Sequence, residues 1–422
     1  MARNVATLAL MGTALLAAVV ANQDSALTYV YTETPRYDAK AWTTGADRFP
    51  SGAKLVLVTP ANRRPVAPDF FASADAAVSY DASHILFSGK RTQTDHWQIY
   101  EVALTGGTPR QWTTAPSDCL RPQYLPDGRI VYTRVTRAGA FLEVSGPTPV
   151  RLTYGPARVL TADVLRDGRI LFEAAATPTG PRELYVVYPD GTGVESMRCD
   201  HTADRSEARQ ISTGDVIFRT GDHLAKFTAA LAKQSPVGTL EATGAIAEVT
   251  PNTWIVTGKR GLFLYDLTTR AAKDLDAQAV QPVVVATRTP PRRFPTALVP
   301  TRTTGNLLCL DVRIAKPALD GDIRKVRFFT QTQTLGEAPV EKDGSFYVQL
   351  PADQPLRMEL VDAAGKVARA EHGWFWMKPS EQRVCVGCHA GPERTSENKV
   401  PAVLLRTTIP TNLTGTTTKQ GK

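Results

Sequence analysis

A short apolar segment recurs at a regular interval through the first two thirds of the 422-residue chain. Each copy has a turn, three apolar residues and a polar loop, and the third apolar positions are Phe87, Tyr132, Phe172, Phe218 and Val256. Successive positions are 45, 40, 46 and 38 residues apart. A repeat of this length is typical of four-stranded blades, each of which buries its faces only against its neighbours. The period therefore predicts an all-β fold that begins with a closed ring of blades, a β-propeller.

A second apolar strand follows four of the five copies, at residues 98–104, 141–144, 183–188 and 262–267. Asp-Gly pairs, the usual turn residues of tight hairpins, precede two of the first strands. This order of Asp-Gly turn, apolar strand, Gly-Gly and Leu-Thr resembles the TolB-like family of β-propellers. The resemblance implies a propeller over residues 27–286, with 281–286 closing the ring. We predict six blades, with seven as the alternative.

Residues 1–21 are predicted to be a secretory signal peptide. Arg3 precedes an uncharged apolar run, and the small residues Val19 and Ala21 stand before a cleavage point. An uncleaved anchor helix is the alternative, since the run is near the lower limit for crossing a bilayer. No other stretch is comparably apolar, so we expect no stable membrane span after cleavage and a periplasmic or secreted protein.

A proline-rich stretch at 287–302 interrupts the blade rhythm and predicts a linker, because proline cannot continue a central strand. Its prolines and arginines are Pro290, Pro291, Pro295, Pro300, Arg288, Arg292 and Arg293. Residues 303–405 then contain short strands at 307–312, 326–330, 345–350 and 356–361 with turn residues between them, which predicts a small β-sandwich. The threonine-rich residues 406–422 are predicted to be a flexible tail.

The sequence Cys385-Val386-Gly387-Cys388-His389 is the C-x-x-C-H signature of c-type haem attachment. Two thiols three residues apart can form thioether bonds to the two vinyl groups of one porphyrin, and the adjacent histidine places an imidazole on the iron. We therefore predict one covalent haem c on Cys385 and Cys388, with His389 as iron ligand. A thioredoxin-like redox pair, a zinc site and a plain disulfide are the alternatives, and the sequence lacks the βαβ context and the second ligand pair that the first two require.

The second axial position of the iron is open to several side chains. Met377 and His372 lie nearest in sequence and are the candidates, although a ligand can come from any distance. If neither binds, the iron has an open site for chemistry, whereas a bound Met377 or His372 favours electron transfer. The aromatic residues 374–376 are interpreted as core or as haem-packing residues. Of the other cysteines, Cys119 and Cys199 can form a disulfide or remain buried thiols.

The C-terminal part resembles the middle domain of the hydrazine synthase alpha subunit and its relatives. The resemblance rests on Thr304 to Val312, on the Asp343-Gly344-Ser345-Phe346 turn, on Trp374 to Trp376 and on the haem motif. It implies a propeller followed by a β-rich domain that ends in the haem motif, with Cys385, Cys388 and His389 as the attachment residues. In the synthase a tyrosine stands four residues after the motif histidine, whereas this chain has Glu393. The sequence also has no second C-x-x-C-H, so hydrazine synthesis itself is not expected.

The leading functional prediction is an exported mono-haem cytochrome that transfers electrons to a periplasmic redox partner docked on the propeller. One alternative is a haem-dependent oxidoreductase acting on a small nitrogen or oxygen compound at the junction of propeller and haem domain. Another is a propeller binding module with a structural haem. No nucleic-acid partner is expected, because the net charge of +8 is spread along a chain with only 21% charged residues.

Overall fold

The computed structural model describes residues 27–198, 200, 203–315, 318–387 and 399–415. This part of the chain forms eight four-stranded sheets. Six sheets form a ring and two form a sandwich, so the predicted all-β fold class is confirmed. Within these ranges no helix is long and apolar enough to cross a membrane. The predicted signal peptide at 1–21 lies outside the described residues.

The six sheets of the ring follow one another along the chain as propeller blades, in agreement with the prediction of six. Blade 1 contains β1 (Tyr29–Glu33), β2 (Lys54–Thr59) and β3 (Asn62–Pro65). Blade 2 contains β4 (Ala72–Val78), β5 (His84–Lys90), β6 (Gln98–Ala103) and β7 (Arg110–Gln111). Blade 3 contains β8 (Asp118–Tyr124), β9 (Ile130–Thr136), β10 (Gly139–Val144) and β11 (Val150–Arg151). A 3-10 helix at Ala41–Thr43 lies between β1 and β2.

The remaining three blades repeat the same order of strands. Blade 4 contains β12 (Arg158–Val164), β13 (Ile170–Ala175), β14 (Arg182–Val187) and β15 (Glu195–Ser196). Blade 5 contains β16 (Ser206–Gln210), β17 (Val216–Thr220), β18 (His223–Phe227) and β19 (Ser235–Glu241). Blade 6 contains β20 (Ile246–Thr250), β21 (Thr253–Gly258), β22 (Gly261–Asp266) and β23 (Ala272–Ala277). The recurring apolar segments of the sequence are the second strands of blades 2 to 6. Asp127-Gly128 and Asp167-Gly168 form the predicted turns before two of them, and both glycines have a φ of +87°, which other residues rarely adopt.

The ring closes through the last strand of the propeller. β24 (Ala279–Val284) pairs antiparallel with β1, with Tyr29 opposite Val284, and is the innermost strand of the first blade. The N-terminal and C-terminal ends of the propeller thus share one sheet, which leaves no unpaired blade edge at the junction.

Four innermost strands carry a buried polar residue at a β-bulge. Asp75, Arg121, Glu207 and Gln281 all have φ between +51° and +60°, at or next to a shift of strand register. A left-handed backbone at a residue other than glycine costs on the order of 1–3 kcal/mol, so the surroundings must hold it in place. The bulges turn these four side chains toward one another near the propeller axis.

Hydrogen bonds and ion pairs join the four bulge residues across the ring. Arg121 Nη2 donates to Glu207 Oε2 at 2.7 Å, which links blades 3 and 5. Gln281 Nε2 donates to Asp75 Oδ1 at 3.0 Å, and Arg48 makes two bonds to the same carboxylate at 2.9 and 2.5 Å. Burial alone would raise the pKa of Glu207, but the Arg121 guanidinium lowers it to about 2. The centre of the propeller is therefore held by paired charges.

The two remaining sheets face each other as a β-sandwich. One sheet has the order β31-β25-β28-β32 and the other β27-β26-β29-β30. The strands are β25 (Thr304–Cys309), β26 (Ile323–Phe329), β27 (Thr334–Pro339), β28 (Phe346–Pro351), β29 (Arg357–Asp362), β30 (Val367–Ala370), β31 (Gln382–Cys385) and β32 (Thr411–Asn412), and a short helix α1 covers Ala402–Arg406. The four strands predicted from the sequence correspond to β25, β26, β28 and β29, within three residues at each end.

The structure pairs and buries part of residues 411–413, which were predicted to belong to a flexible tail at 406–422, and residues 416–422 lie outside the described residues. β32 pairs in parallel with β28, and the Leu413 side chain is buried in the sandwich core. The Leu413 side chain and the pairing of Thr411 and Asn412 with β28 hold this segment. Its polar, threonine-rich composition gave no sign of these contacts in the sequence.

Replacement of Glu207 by glutamine is expected to destabilise the propeller by up to about 3–5 kcal/mol, because it removes the nearer of two buried carboxylates beside Arg121 and leaves only Asp75, at 3.6 Å. The carboxylate contribution is present above the ordinary Glu pKa of 4.5 and is lost as the pH falls toward about 2. The stability difference between wild type and E207Q, measured by urea unfolding, should therefore shrink over that pH range. The control is Glu195→Gln, since Glu195 pairs with Arg169 at 3.1 Å on the surface and should contribute at most about 1 kcal/mol. Equal stability of E207Q and wild type at neutral pH would contradict the role of the charge pair.

Candidate functional site

The segment before the C-x-x-C-H motif fastens the sandwich to the propeller. The Trp376 side chain is buried in the apolar cluster that blades 3 and 4 form between them. Its indole Nε1 donates to the Gly191 carbonyl oxygen at 2.8 Å, and its ring lies 6.1 Å from that of Tyr154. The apolar body and the polar edge of this tryptophan are both satisfied, as a buried indole requires.

Two charged residues beside Trp376 complete the attachment. Lys378 is buried, forms an ion pair with Asp353 and donates from Nζ to the Tyr154 hydroxyl at 3.2 Å. The Glu381 carboxylate accepts from the backbone N–H of Gly193 at 3.1 Å and from that of Lys378 at 2.8 Å. Burial raises the pKa of Glu381, although these backbone donors oppose the shift. Together these contacts determine where β31, and hence the motif, lies relative to blade 4.

The proline-rich segment between β24 and β25 lies along the propeller surface. The Arg288 backbone N–H donates to the Tyr80 carbonyl oxygen at 2.8 Å. Further along, the Phe294 ring stacks on the Tyr188 ring of blade 4 with centroids 3.9 Å apart and an angle of 17°. The segment then reaches the sandwich, where the Val299 N–H donates to Ser380 Oγ at 2.7 Å. We call residues 285–303 the strap.

A cavity of about 840 Å³ lies where blade 4, the strap and the sandwich meet. Such a volume is within the usual range of cofactor and ligand sites. Its apolar lining comes from all three parts: Tyr185, Tyr188 and Val194 from blade 4, Phe294, Pro295 and Leu298 from the strap, and Leu307, Phe346, Met358, Trp374 and Phe375 from the sandwich. The cavity therefore requires the propeller and the sandwich in their observed arrangement.

Ionisable side chains also line this cavity, and Arg383 is the most informative of them. Its Nη2 donates to the Val194 carbonyl oxygen, and its guanidinium carbon lies 5.7 Å from the centre of the Phe375 ring. Its Nη1 is buried and has no hydrogen-bond partner among the described residues. A buried, unpaired guanidinium nitrogen is costly, so this position suits an anionic group of a bound molecule. The other ionisable residues of the lining are Arg169, Asp190, Glu195, Glu371 and Glu381.

The structure places one of the three predicted attachment residues in the cavity wall. Cys385 is the last residue of β31 and lines the cavity together with Val386 and Gly387. The hydrogen bond with the Cys309 thiol lowers the pKa of Cys385 to about 6, while burial opposes the shift. Cys388, His389 and Cys199 lie outside the described residues. Cys119 is a buried thiol of blade 3.

Neither predicted candidate for the second axial position belongs to the lining of the large cavity. The Met377 side chain is fully buried in the sandwich core and is not part of the lining. His372 lines a smaller cavity of about 90 Å³, which shares Tyr185 and Trp374 with the large one. The methionine in the lining of the large cavity is Met358, on β29, which sequence proximity to the motif did not single out.

A c-type haem fits the residues that are present. The cavity is of a suitable size, aromatic and aliphatic side chains line most of it, the Cys385 thiol stands at its wall, and the unpaired Arg383 nitrogen can meet a carboxylate. The three aromatic residues 374–376 have different surroundings. Trp374 and Phe375 line the cavity, whereas Trp376 is part of the propeller core. The contributions of Cys309, Arg383 and the strap were not predicted, since each depends on contacts between distant parts of the chain.

Replacing Trp376 by alanine is expected to weaken the attachment of the sandwich by about 3–5 kcal/mol, because a large buried side chain is lost. The Trp376→Phe variant keeps most of the ring and loses only the bond to Gly191, at about 1 kcal/mol. Tryptic cleavage in the strap, at Arg292 and Arg293, measures the loss of attachment and should accelerate strongly in W376A and slightly in W376F. In the control Trp254→Phe, a buried tryptophan of blade 6 is changed, and cleavage at these two arginines should stay as in wild type. Unchanged cleavage in W376A would show that the sandwich is held by other contacts.

Comparison with known proteins gives matches for both parts of the chain. Residues 318–390 match the family model of the hydrazine synthase alpha subunit middle domain. The hydrazine synthase subunit alpha of Kuenenia stuttgartiensis is 33% identical over 66 residues, a stretch that covers 16% of this chain and only 8% of that protein. The aligned part is thus a small fraction of the curated relative.

The solved structure of Kuenenia stuttgartiensis hydrazine synthase matches 90% of this chain and 71% of its own, with a TM-score of 0.76 and 17% identity. TolB from Acinetobacter baumannii matches 61% of this chain and 66% of its own, with a TM-score of 0.43 and 14% identity. The first match extends over propeller, strap and sandwich and establishes a shared fold. The chain is thus a six-bladed β-propeller followed by a β-sandwich that matches the hydrazine synthase alpha subunit middle domain.

Proposed function

We propose that this chain is an exported c-type haem protein that acts as an oxidoreductase on a small nitrogen or oxygen compound. In this proposal Cys385 and Cys388 attach the haem covalently, His389 binds the iron, and the cavity between blade 4, the strap and the sandwich holds both haem and substrate. The observation that carries the proposal is the position of Cys385 in the wall of a cavity lined by several ionisable groups. A haem bound there would supply a redox-active iron with one coordination position available to a small molecule.

The side chains of the lining have roles that follow from their chemistry. Trp374 and Phe375 give the cavity an apolar wall, which strengthens electrostatic interactions beside it. Arg383 holds an anionic group, for which its buried Nη1 supplies a donor. Glu371, a carboxylate of the same wall, can accept or return a proton during a redox reaction of a small substrate.

The positions of Met377 and His372 support an open iron. Met377 would have to leave the sandwich core to reach the large cavity, which would cost about 2–5 kcal/mol in lost packing. His372 lines the adjoining smaller cavity, as does Trp374. Since neither side chain lines the large cavity in this conformation, a haem held there would have its iron available to a small molecule.

Electron transfer with a periplasmic redox protein is the second candidate function. The observation in its favour is the exposure of two apolar side chains on either side of Cys385, Val384 at 58% and Val386 at 37%. Exposed apolar residues next to a haem are the kind of surface on which redox partners dock. A haem with a purely structural role is the third possibility.

Haem attachment and spin state distinguish these functions. The purified exported protein should retain haem on a denaturing gel, and the double variant C385A/C388A should lose it, whereas Cys119→Ala should keep it. Oxidised wild type is expected to be high-spin and five-coordinate and to bind cyanide. A low-spin, six-coordinate iron that excludes cyanide would favour electron transfer, and the absence of a reversible redox couple would indicate a structural haem. Protein without any haem absorption would refute all three.

The Arg383 side chain should influence the reduction potential of the haem. A nearby cation disfavours the oxidised iron, which carries the larger positive charge, so Arg383→Gln should lower the potential. The measurement is a spectroscopic redox titration of wild type and variant. The control is Arg260→Gln, because Arg260 is highly exposed on blade 6 and remote from the cavity. An unchanged potential in R383Q would mean that Arg383 does not face the haem.

A further inference from the structure

Two cysteines face each other on adjacent strands of the sandwich. Cys309 ends β25 and Cys385 ends β31, and the two are direct register partners in the parallel pairing of these strands. Both are reduced in the structure, and both line the large cavity. Cys309 is not part of the C-x-x-C-H motif.

The geometry suits a covalent link between these two residues. Neighbouring strands lie about 4.8 Å apart, and disulfides join residues whose Cα atoms are about 4.4–6.8 Å apart. The two side chains also point to the same face of the sheet, because both reach the cavity and their thiols share a hydrogen bond. The ladder from Asn306 opposite Gln382 to Leu308 opposite Val384 keeps the two strands in this register.

We propose that Cys309 and Cys385 form a disulfide in the haem-free chain, so that Cys309 is the redox partner of Cys385. The disulfide itself requires no haem. Its consequence for the cofactor rests on the proposed function: one sulfur cannot be in a disulfide and a thioether at once, so the bond must be reduced before Cys385 can take part in haem attachment.

The oxidation balances as a thiol–disulfide exchange with a disulfide of the surroundings, such as that of a protein disulfide oxidant or of glutathione. The Cys385 thiolate attacks the external disulfide and releases its first thiolate. The Cys309 thiolate then attacks the Cys385 sulfur and releases the second. Two electrons pass to the external disulfide, and the two cysteine protons end on its two thiols. Cys385 reacts with the external disulfide first because it is partly accessible, whereas Cys309 is only 2% exposed.

The competing product is a Cys385–Cys388 disulfide within the motif. Trypsin separates the two possibilities, because Cys309 lies in the peptide 303–313 and both motif cysteines lie in the peptide 384–394. A Cys309–Cys385 bond joins these peptides, whereas a Cys385–Cys388 bond leaves a closed loop within the second one.

The experiment uses the full chain prepared without haem, treated with glutathione disulfide and then unfolded in N-ethylmaleimide to block the remaining thiols. Non-reducing mass spectrometry of the tryptic digest should show peptides 303–313 and 384–394 joined, with N-ethylmaleimide on Cys388. The joined species should be absent in Cys309→Ser and retained in Cys119→Ser. A closed loop in 384–394 with N-ethylmaleimide on Cys309 would overturn the proposal.

A haem-loaded sample separates this inference from the proposed function. There, peptide 384–394 should carry the haem and Cys309 should carry N-ethylmaleimide. If haem never attaches but the two peptides join, the proposed function fails and the disulfide stands. If haem attaches and the peptides never join in the haem-free chain, the disulfide proposal fails and the proposed function stands. Should Cys309→Ser fail to fold, the wild-type digest alone still decides between the two disulfides.

Discussion

The burial of Trp376 between blades 3 and 4 is the contact on which the arrangement of the cavity depends. The residue belongs to the sandwich by sequence, but its side chain completes an apolar cluster of the propeller. Because β31 begins only a few residues later, this side chain, together with Lys378 and Glu381, positions Cys385 relative to Tyr185 and Tyr188. Phe375 also packs against this cluster, so the contact between sandwich and propeller is apolar at its centre and is completed by the polar contacts of Lys378 and Glu381.

The propeller can serve as this anchor because its centre is rigid. Paired charges on bulged inner strands link blades that are not neighbours, such as blades 3 and 5 through Arg121 and Glu207. Buried ion pairs of this kind contribute less to net stability than apolar packing would, since both charges lose their hydration. Their effect is to specify one arrangement of the bulges, because any other would leave a buried charge without a partner.

The apolar rhythm predicted the second strands of five blades and several of the third strands, because these strands have buried, uncharged cores. It located the innermost strand of blade 1 through the predicted closing segment 281–286, but not those of blades 2, 3 and 5, which contain the charged residues Asp75, Arg121 and Glu207. Only the closed ring brings these charges together, and no local pattern records that pairing. The same limit applies to the site: C-x-x-C-H identified Cys385 from spacing alone, whereas Cys309 and Arg383 gain their significance from contacts with distant residues.

The pairing of β24 with β1 has a consequence for the time course of folding. Residues 29 and 284 must meet before the first blade is complete, and contacts between such distant residues form slowly. The strap continues directly from β24, so the strand that closes the ring and the wall that the strap contributes to the cavity are consecutive in the chain. A substitution that loosens the pairing of β24 with β1 therefore acts on the same stretch of chain that continues into the cavity wall beside Cys385.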